Sequence, residues 1–262
     1  MSSLSNPSSI SLKIMKEEKN KVDLFWTGGW DSTFRLVQLL MTTGSVVQPH
    51  YIVRHEDSTG TEIATMIKIR RAIVRNYREV EPRFLPTIYT NEDHIHWYDD
   101  IEEQVRRVRE STRVNDQYPI LANYCRERNI GQAEVSIIKV SEEPAEKWIM
   151  NHFQDAPAFK PFAFPVIHLY KVDMLKIAKE NGWEKIMYLT SFCRRPSRAK
   201  PCGVCGPCTD AVMLGMGSRL PFWSRMKARL IIPFRKWWRK NYEKNKEKKF
   251  FRLIERKFVG RL

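Results

Sequence analysis

The feature that most constrains the fold is a short apolar run followed directly by a glycine pair and a helical pattern. Residues 22–26 read VDLFW, Gly28 and Gly29 follow, and apolar residues then recur at helical spacing across residues 31–40. This order predicts a strand, a tight loop and a helix. Because glycine lacks a Cβ, the loop can turn sharply between the two elements.

The alternation of strands and helices continues along the chain. Further strands are predicted at residues 46–53, 84–89, 134–140, 165–169 and 186–189. Helices are predicted at residues 62–77, 114–128 and 172–181, and residues 143–164, rich in Pro and Phe, are predicted to be irregular. Strands that alternate with helices favour a parallel α/β sheet covered on both faces.

The loop at residues 27–32, TGGWDS, lies where open α/β sheets commonly bind a phosphate. Amides of the glycine pair and of the helix N-terminus can face an anion, and the Ser32 and Thr33 hydroxyls add donors. Asp31 would repel a bare phosphate, so it indicates a bridging Mg²⁺. The alternative is that the segment forms only a turn and an N-cap. The predicted nucleotide site comprises Trp26, Thr27, Gly28, Gly29, Trp30, Asp31, Ser32 and Thr33.

Four of the five cysteines form a C-x8-C-x2-C-x2-C cluster. They are Cys193, Cys202, Cys205 and Cys208. Four thiolates at this spacing can surround Zn²⁺, and such a site leaves no open position for substrate, so it is predicted to be structural. An iron–sulfur cluster and redox chemistry of a CxxC pair are the alternatives. The fifth, Cys125, stands alone in a predicted helix and is predicted to be a small buried residue.

Together the two motifs resemble the 7-cyano-7-deazaguanine synthases, PP-loop ATP pyrophosphatases of the queuosine pathway. The family loop reads Ser-Gly-Gly-x-Asp-Ser, and Thr27 replaces its first Ser while keeping a hydroxyl. Residues 165–171, PVIHLYK, are similar to a family segment of Pro-Leu followed by Lys at a helix start. The resemblance covers residues 22–212. It implies a Rossmann-like fold of the PP-loop ATPase (adenine nucleotide alpha hydrolase) type, with zinc on the cysteines.

The family reaction defines the cofactors and partners that the resemblance implies. With ATP, these enzymes activate 7-carboxy-7-deazaguanine, amidate it with ammonia and dehydrate the amide to a nitrile. ATP, Mg²⁺ and Zn²⁺ are therefore expected, with the deazaguanine carboxylate and ammonia as substrates. Asp31 and Ser32 are the candidate catalytic residues, and Lys171 is a candidate for stabilising charge in the transition state.

The chain departs from the family where the deazaguanine would be held. Residues 51–57, YIVRHED, stand where the family has Asp-Tyr-Gly-Gln, and residues 131–162 contain no Tyr-Pro-Asp-Cys-Arg segment. A second hypothesis therefore keeps the adenylating core but transfers a deazapurine or other acyl group to an amine of a protein or nucleic acid. A third is a nucleic-acid or membrane-binding protein with a vestigial loop. Residues 91–100, which include His94 and His96, are predicted to be a polar loop.

Positive charge is concentrated at the C-terminal end. Of the net charge of +15, residues 219–262 contribute +13, from 16 Lys and Arg against 3 acidic residues. The resulting division is a flexible leader (1–20), a PP-loop ATP-binding domain (21–190), a zinc-binding segment with the four cysteines (191–218) and a basic aromatic helical tail (219–262). The tail fits a nucleic-acid arm, a helix on an anionic membrane, or a helix packed on the body or on a second subunit of a homodimer. Without an apolar segment of spanning or secretory type, a cytoplasmic protein is predicted.

Overall fold

A five-stranded parallel sheet forms the centre of the part of the chain that the structure, a computed structural model, describes: residues 20–111, 114–139 and 156–245. Its strands are β1 (Lys21–Phe25), β2 (Val46–Val53), β3 (Ile88–Asn91), β4 (Ala133–Glu134) and β5 (Phe162–Ala163). They lie in the order β3-β2-β1-β4-β5, and every neighbouring pair is parallel. The predicted parallel α/β architecture is confirmed, and the strand order is compatible with a Rossmann-like fold.

Helices cover both faces of this sheet. They are α1 (Trp30–Thr42), α2 (Thr59–Asn76), α3 (Asp99–Ser111), α4 (Gln117–Glu127), α5 (Lys171–Glu180), α6 (Glu184–Met187), α7 (Gly206–Met213) and α8 (Phe222–Asn245). Successive side chains of β1 point to opposite faces. Leu24 therefore packs in a core with α1, α2, α5 and α6, whereas Phe25 packs in a second core with α3 and α4.

Four predicted strands differ from the observed ones. Of the described part of the strand predicted at residues 134–140, only Glu134 lies in a strand, β4, and residues 135–139 have no regular secondary structure. Residues 186–189 form part of α6 and the turn after it instead of a strand, and residues 165–169 form turns that lead into α5. A four-residue apolar run fits a buried helix as well as a strand, since both bury the same residues. The strand predicted at residues 84–89 is interrupted. Phe84 makes one isolated bridge, to Val47, and the ladder of β3 begins at Ile88, beyond Pro86.

Helix α3 was missed: residues 91–100 were predicted as a loop, and no element was predicted at residues 101–113. It buries a narrow stripe of Ile101, Val105 and Val108 in a sequence of mostly charged residues. The leader up to residue 19, the strand end at Val140, most of the irregular segment and the tail beyond Asn245 lie outside the described residues. None of the helices described is long and apolar enough to cross a membrane.

An ion pair joins the two halves of the sheet beneath the first helix. Arg35 of α1 binds both carboxylate oxygens of Glu134 on β4, with Nε–Oε2 and Nη2–Oε1 distances of 2.7 Å. Both side chains are largely buried, at 17% and 14% exposed. A planar guanidinium matches a carboxylate in this two-bond geometry, so the pair fixes β4 relative to α1.

We expect Arg35→Met to destabilise the fold by about 3 kcal/mol, because it leaves the Glu134 carboxylate buried without its partner. Urea unfolding followed by circular dichroism measures the change. Arg106→Met is the matched control, since Arg106 pairs with Glu103 on the exposed surface of α3 and should change stability little. Equal losses for the two variants would contradict a structural role for the Arg35–Glu134 pair.

Candidate functional site

The loop between β1 and α1 has the backbone of an anion site. Gly28 lies in the left-handed region at φ +68°, and a Cβ there would come within 3.0 Å of Met66 Cγ. Gly29 is the N-cap of α1, and no side chain caps this helix end. The first amides of a helix have no intrahelical acceptor, so the Asp31 amide is available to an anion.

The hydroxyl groups of the loop hold its shape. The Thr27 amide donates to Ser32 Oγ at 3.3 Å, and the Gly29 amide donates to Thr27 Oγ1 at 3.3 Å. The two hydroxyl oxygens lie 3.4 Å apart. Thr27 and Ser32 therefore preorganise the turn and also line the cavity above it.

Two residues assigned to the nucleotide site from sequence lie beneath it. Trp26 and Thr33 are both almost fully buried, and the Trp26 indole donates to Thr33 Oγ1 at 3.0 Å. The Trp26 ring also packs edge-on against Phe84. Neither side chain is among those that line the cavity. They support the loop from the core, and the Thr33 hydroxyl is engaged by the indole.

A cavity of about 410 Å³ opens above the loop at the carboxyl ends of β1 and β2 and beside the chain that follows β4. Strands β2 and β3 lie on one side of β1, and β4 and β5 lie on the other. The cavity is therefore at the topological switch point of the sheet, where the strand order reverses direction. Ligands bind at such points in open α/β sheets, and the volume is within the range of small-molecule sites. The site prediction did not include several polar residues that line it: Arg54, Glu56, Glu62, Gln117 and Ser136.

The candidate catalytic residues Asp31 and Ser32 line one end of this cavity, and Lys171 lies beside Asp31. Lys171, the first residue of α5, places Nζ 3.7 Å from Asp31 Oδ2. Asp31 Oδ1 is buried and has no hydrogen-bond partner among the described residues. Burial raises the pKa of Asp31, and the charges of Lys171 and Arg219 oppose that rise. The carboxylate is thus held where its charge is costly unless a cation binds it.

Arg219 forms a second cationic wall that sequence reasoning missed. Its guanidinium lies between two aromatic rings, 4.8 Å from the centroid of Trp30 and 4.6 Å from that of Phe192. It donates to the Thr190 carbonyl at 2.7 Å and to Thr190 Oγ1 at 2.6 Å. Burial lowers its pKa to about 10, so it remains charged at neutral pH. No motif in the sequence identifies Arg219, because the aromatic rings that it contacts, Trp30 and Phe192, are distant from it along the chain.

The segment that leads into the cysteines adds a bridge beside the phosphate loop. The Ser191 amide donates to the Gly28 carbonyl at 3.0 Å, and Ser191 and Gly29 form a parallel bridge. Ser191, Phe192 and Cys193 line the cavity. The first predicted metal ligand is therefore two residues from a direct contact with the phosphate loop.

The four predicted zinc ligands are brought together. All four sulfurs lie within 4.8 Å of one another, with separations of 3.4 Å for Cys205–Cys208, 3.9 Å for Cys193–Cys205 and 4.0 Å for Cys202–Cys208. Tetrahedral Zn–S bonds of about 2.3 Å give sulfur separations of about 3.8 Å, so the set fits one Zn²⁺. Among the described residues, no other group of three or more metal-ligating side chains was found.

Backbone amides point at two of these sulfurs. The Cys202 amide donates to Cys193 Sγ at 3.2 Å, and the Val204 and Cys205 amides donate to Cys202 Sγ at 3.4 Å. Such donors favour the thiolate form and orient ligands toward a metal. The contacts among the sulfurs lower the pKa of the Cys205 thiol and raise those of Cys193 and Cys208. The sulfur separations and the amide donors together suit a divalent metal held by thiolates.

Helix α8 docks on the loop between the cysteines through a position that requires glycine. Gly203 has φ +82°, and a Cβ there would lie 2.2 Å from the Ser224 carbonyl oxygen. Ser224 Oγ donates to the Pro201 carbonyl at 2.6 Å, and Arg235 Nη2 donates to the Val204 carbonyl at 3.1 Å. The segment that carries the cysteines thus contacts the loop between β1 and α1 on one side and α8 on the other.

A buried histidine takes part in a hydrogen-bond relay at the floor of the cavity. His50 Nδ1 lies 2.7 Å from the Tyr124 hydroxyl, and His50 Nε2 lies 2.8 Å from Asp23 Oδ1. The neighbouring Cys125 is fully buried, and desolvation raises its pKa to about 12. The prediction that Cys125 is a small buried residue agrees with this position.

We expect one Zn²⁺ per chain, and we expect Cys205→Ser to lose it and to lower the melting temperature. The serine hydroxyl is a poor zinc ligand, and a structural zinc site contributes directly to folding energy. Elemental analysis and thermal unfolding measure the two effects. Cys125→Ala is the control and should retain the metal, since Cys125 lies outside the cluster. Metal-free wild-type protein of unchanged stability would contradict the site.

We expect Asp31→Asn to stabilise the protein at pH 7, raising its melting temperature by on the order of a few °C. Because the pKa of Asp31 is raised in the folded protein, the ionised carboxylate lowers the free energy of unfolding at pH values above that pKa. The gain should shrink as the pH falls through the raised pKa toward 3.8, the ordinary pKa of an aspartate. Asp116→Asn, at an exposed side chain, is the control. A destabilised Asp31→Asn at pH 7 would show that the charge is favourable.

Comparisons with known proteins add no relative. No protein-family model and no curated protein matches this chain. What the site does is therefore inferred from its own side chains, distances and charges.

Proposed function

We propose that this protein is an ATP-dependent synthetase of the PP-loop type that adenylates a carboxylate of a deazaguanine-like substrate and converts it to an amide or a nitrile. The observation that carries the proposal is the glycine loop at an uncapped helix end, with Asp31 lining the switch-point cavity and Lys171 beside Asp31. Phosphate at a helix N-terminus, with a carboxylate for its metal ion, accounts for all of these features.

Each group at this end of the cavity has a role in holding ATP. The Asp31 amide and the Ser32 hydroxyl would take the phosphate oxygens. Asp31 would hold Mg²⁺ through Oδ1, the buried oxygen without a hydrogen-bond partner among the described residues. That ion supplies charge neutralisation of the phosphates. Lys171, fixed at the start of α5, adds a positive charge next to Asp31.

The proposed reaction needs positioning more than acid–base chemistry. An oxygen of the substrate carboxylate attacks the α-phosphorus of ATP, the bond to the β-phosphate bridging oxygen breaks, and pyrophosphate leaves. Ammonia then attacks the acyl carbon, AMP leaves with the former carboxylate oxygen, and the nitrogen loses a proton. The amide oxygen then attacks the α-phosphorus of a second ATP and pyrophosphate leaves. Loss of AMP with that oxygen, and of both amide protons, gives the nitrile. Fixed amides and cations that face the developing charge supply most of the rate.

The far wall of the cavity offers hydrogen-bond partners for a purine-like heterocycle. Arg54 holds Glu56, with Nη1 2.7 Å from Oε1, and also contacts Glu92 at 3.1 Å. A carboxylate fixed in this way suits the adjacent N–H donors of a guanine-type edge. Gln117 and Ser136 add neutral donors and acceptors. In this scheme the zinc loop, which is residues 193–208 with the four cysteines, is structural. It fixes residues 191–194, which line the cavity.

A second candidate keeps the adenylation step and changes the acceptor. Arg54 and Glu56 stand where the family carries Asp-Tyr-Gly-Gln, so the substrate wall is chemically different from the family's. A changed wall alters which acceptor is selected more than whether ATP reacts. The acceptor would then be an amine on a protein or a nucleic acid.

The test is AMP and pyrophosphate release by zinc-loaded protein given ATP, Mg²⁺, 7-carboxy-7-deazaguanine and ammonium. We expect both products only when the carboxylate is present, and we expect Asp31→Ala and Lys171→Ala to lower kcat by roughly 10²-fold or more. Cys125→Ala should retain the activity. AMP and pyrophosphate release together with a mass increase on an amine-bearing partner would favour the second candidate. No AMP from zinc-loaded protein with any carboxylate would contradict both.

A further inference from the structure

Helix α8 packs one face against the described protein and exposes large apolar side chains on the other. The inner face seats Ser224 and the fully buried Ala228 against the zinc loop. On the opposite side, Trp223 is 75% exposed and Leu230 is 77% exposed. Soluble proteins rarely present large apolar side chains as a continuous patch without a partner for it.

The exposed residues form a single stripe along the helix. At 100° per residue, all of them fall within about 120° of arc, one third of the circumference. The stripe consists of Phe222, Trp223, Leu230, Phe234 and Trp237, exposed by 57%, 75%, 77%, 40% and 49%. The stripe runs over about four turns of α8. Its aromatic rings also contact one another, Phe222 with Trp223 and Phe234 with Trp237.

Positive charge borders this stripe. Lys227 lies along one edge, and Arg229, Lys236 and Lys240 lie along the other, all exposed. Residues 222–242 contain seven Lys and Arg in total, and residues 211–242 contain no Asp or Glu. A helix with Trp, Phe and Leu on one side and only cations at its polar borders has the pattern of interfacial helices.

We propose that α8 docks this protein on an anionic phospholipid surface, with the stripe (Phe222, Trp223, Leu230, Phe234 and Trp237) in the boundary between headgroups and acyl chains. The helix would lie in the plane of the membrane, where burial of the apolar side chains drives insertion. Trp favours this boundary because its ring is apolar while its N–H keeps a polar partner. The bordering cations contact anionic headgroups and add attraction that salt screens.

Charge and side-chain chemistry argue against the other occupants. A second copy of the chain would set one cationic border against another, which costs energy at an interface. A nucleic acid would use the cations and stack on the aromatic rings, but it has no complement for Leu230, the most exposed of the five. A lipid surface satisfies the apolar centre and the cationic borders together.

The inner contacts of α8 set the docked orientation. This face of the helix is held to the zinc loop by Ser224 and by Arg235, and Gly203 allows the close approach. The membrane would therefore contact the side of α8 that faces away from the zinc loop. The cavity itself takes no part, so docking and the proposed ATP chemistry are independent.

Vesicle sedimentation with the full chain tests this proposal. We expect binding to vesicles of phosphatidylcholine with roughly 30% phosphatidylglycerol, weaker binding at higher NaCl, and little binding to phosphatidylcholine alone. Trp223→Ser combined with Leu230→Ser should lower the partition coefficient about tenfold or more, because it removes the two most exposed apolar side chains. The tryptophan emission of wild-type protein should shift to shorter wavelength on binding.

Trp97→Ser is the matched control, because Trp97 is 45% exposed and lies in another part of the molecule. It should leave vesicle binding unchanged. Zinc content and thermal unfolding of each variant show that α8 still sits on a folded zinc loop.

Three results would overturn the proposal. The first is a folded wild-type protein that does not sediment with the anionic vesicles. The second is an equal loss of binding in the double variant and in the Trp97→Ser control. The third is a salt-sensitive affinity for a single-stranded oligonucleotide, or a dimer in sedimentation equilibrium, that the double variant abolishes while vesicle binding persists.

Discussion

The contact on which the candidate site depends is the hydrogen bond from the Ser191 amide to the Gly28 carbonyl. Without it, the phosphate loop would be fixed only by β1 and α1, and the cavity would lack one wall. The bond places the residues before Cys193 next to a glycine whose backbone only glycine adopts without strain. Folding around the four cysteines therefore also shapes the loop beneath the cavity.

The zinc loop supports the cavity on one side and α8 on the other. Toward the cavity, Arg219 returns from beyond the cysteines to lie between Trp30 and Phe192 and to hold Thr190. Toward the surface, the loop carries α8 and presents its outer stripe. A small site without a large core gains rigidity from a metal with four protein ligands. The arrangement connects the cavity to an exposed helix, and the two share no residues.

Local patterns in the sequence predicted the first strand, its loop, helix α1, strand β2 at residues 46–53 and the gathering of the cysteines. These features depend on neighbours in sequence or on the ligand preference of thiols. Residues 186–189 were predicted as a strand, because a short buried run has no period that separates helix from strand. Arg54 and Arg219 were missed as site residues, since their roles arise from contacts with residues distant in the chain. Burial of Trp26 and Thr33 likewise depends on packing, here against Phe84, and not on the motif.

ATP binding at the loop between β1 and α1 would explain together the positions of Asp31 and Lys171 and the uncapped start of α1. Hydrogen–deuterium exchange of the zinc-loaded protein, with and without saturating ATP and Mg²⁺, tests this directly and requires no knowledge of the second substrate. We expect slower exchange for the amides of residues 28–33 and for Ser191, with α8 unchanged. Unaltered exchange across residues 28–33 at saturating ATP, or protection confined to other parts of the chain, would contradict the assignment of the loop as a nucleotide site.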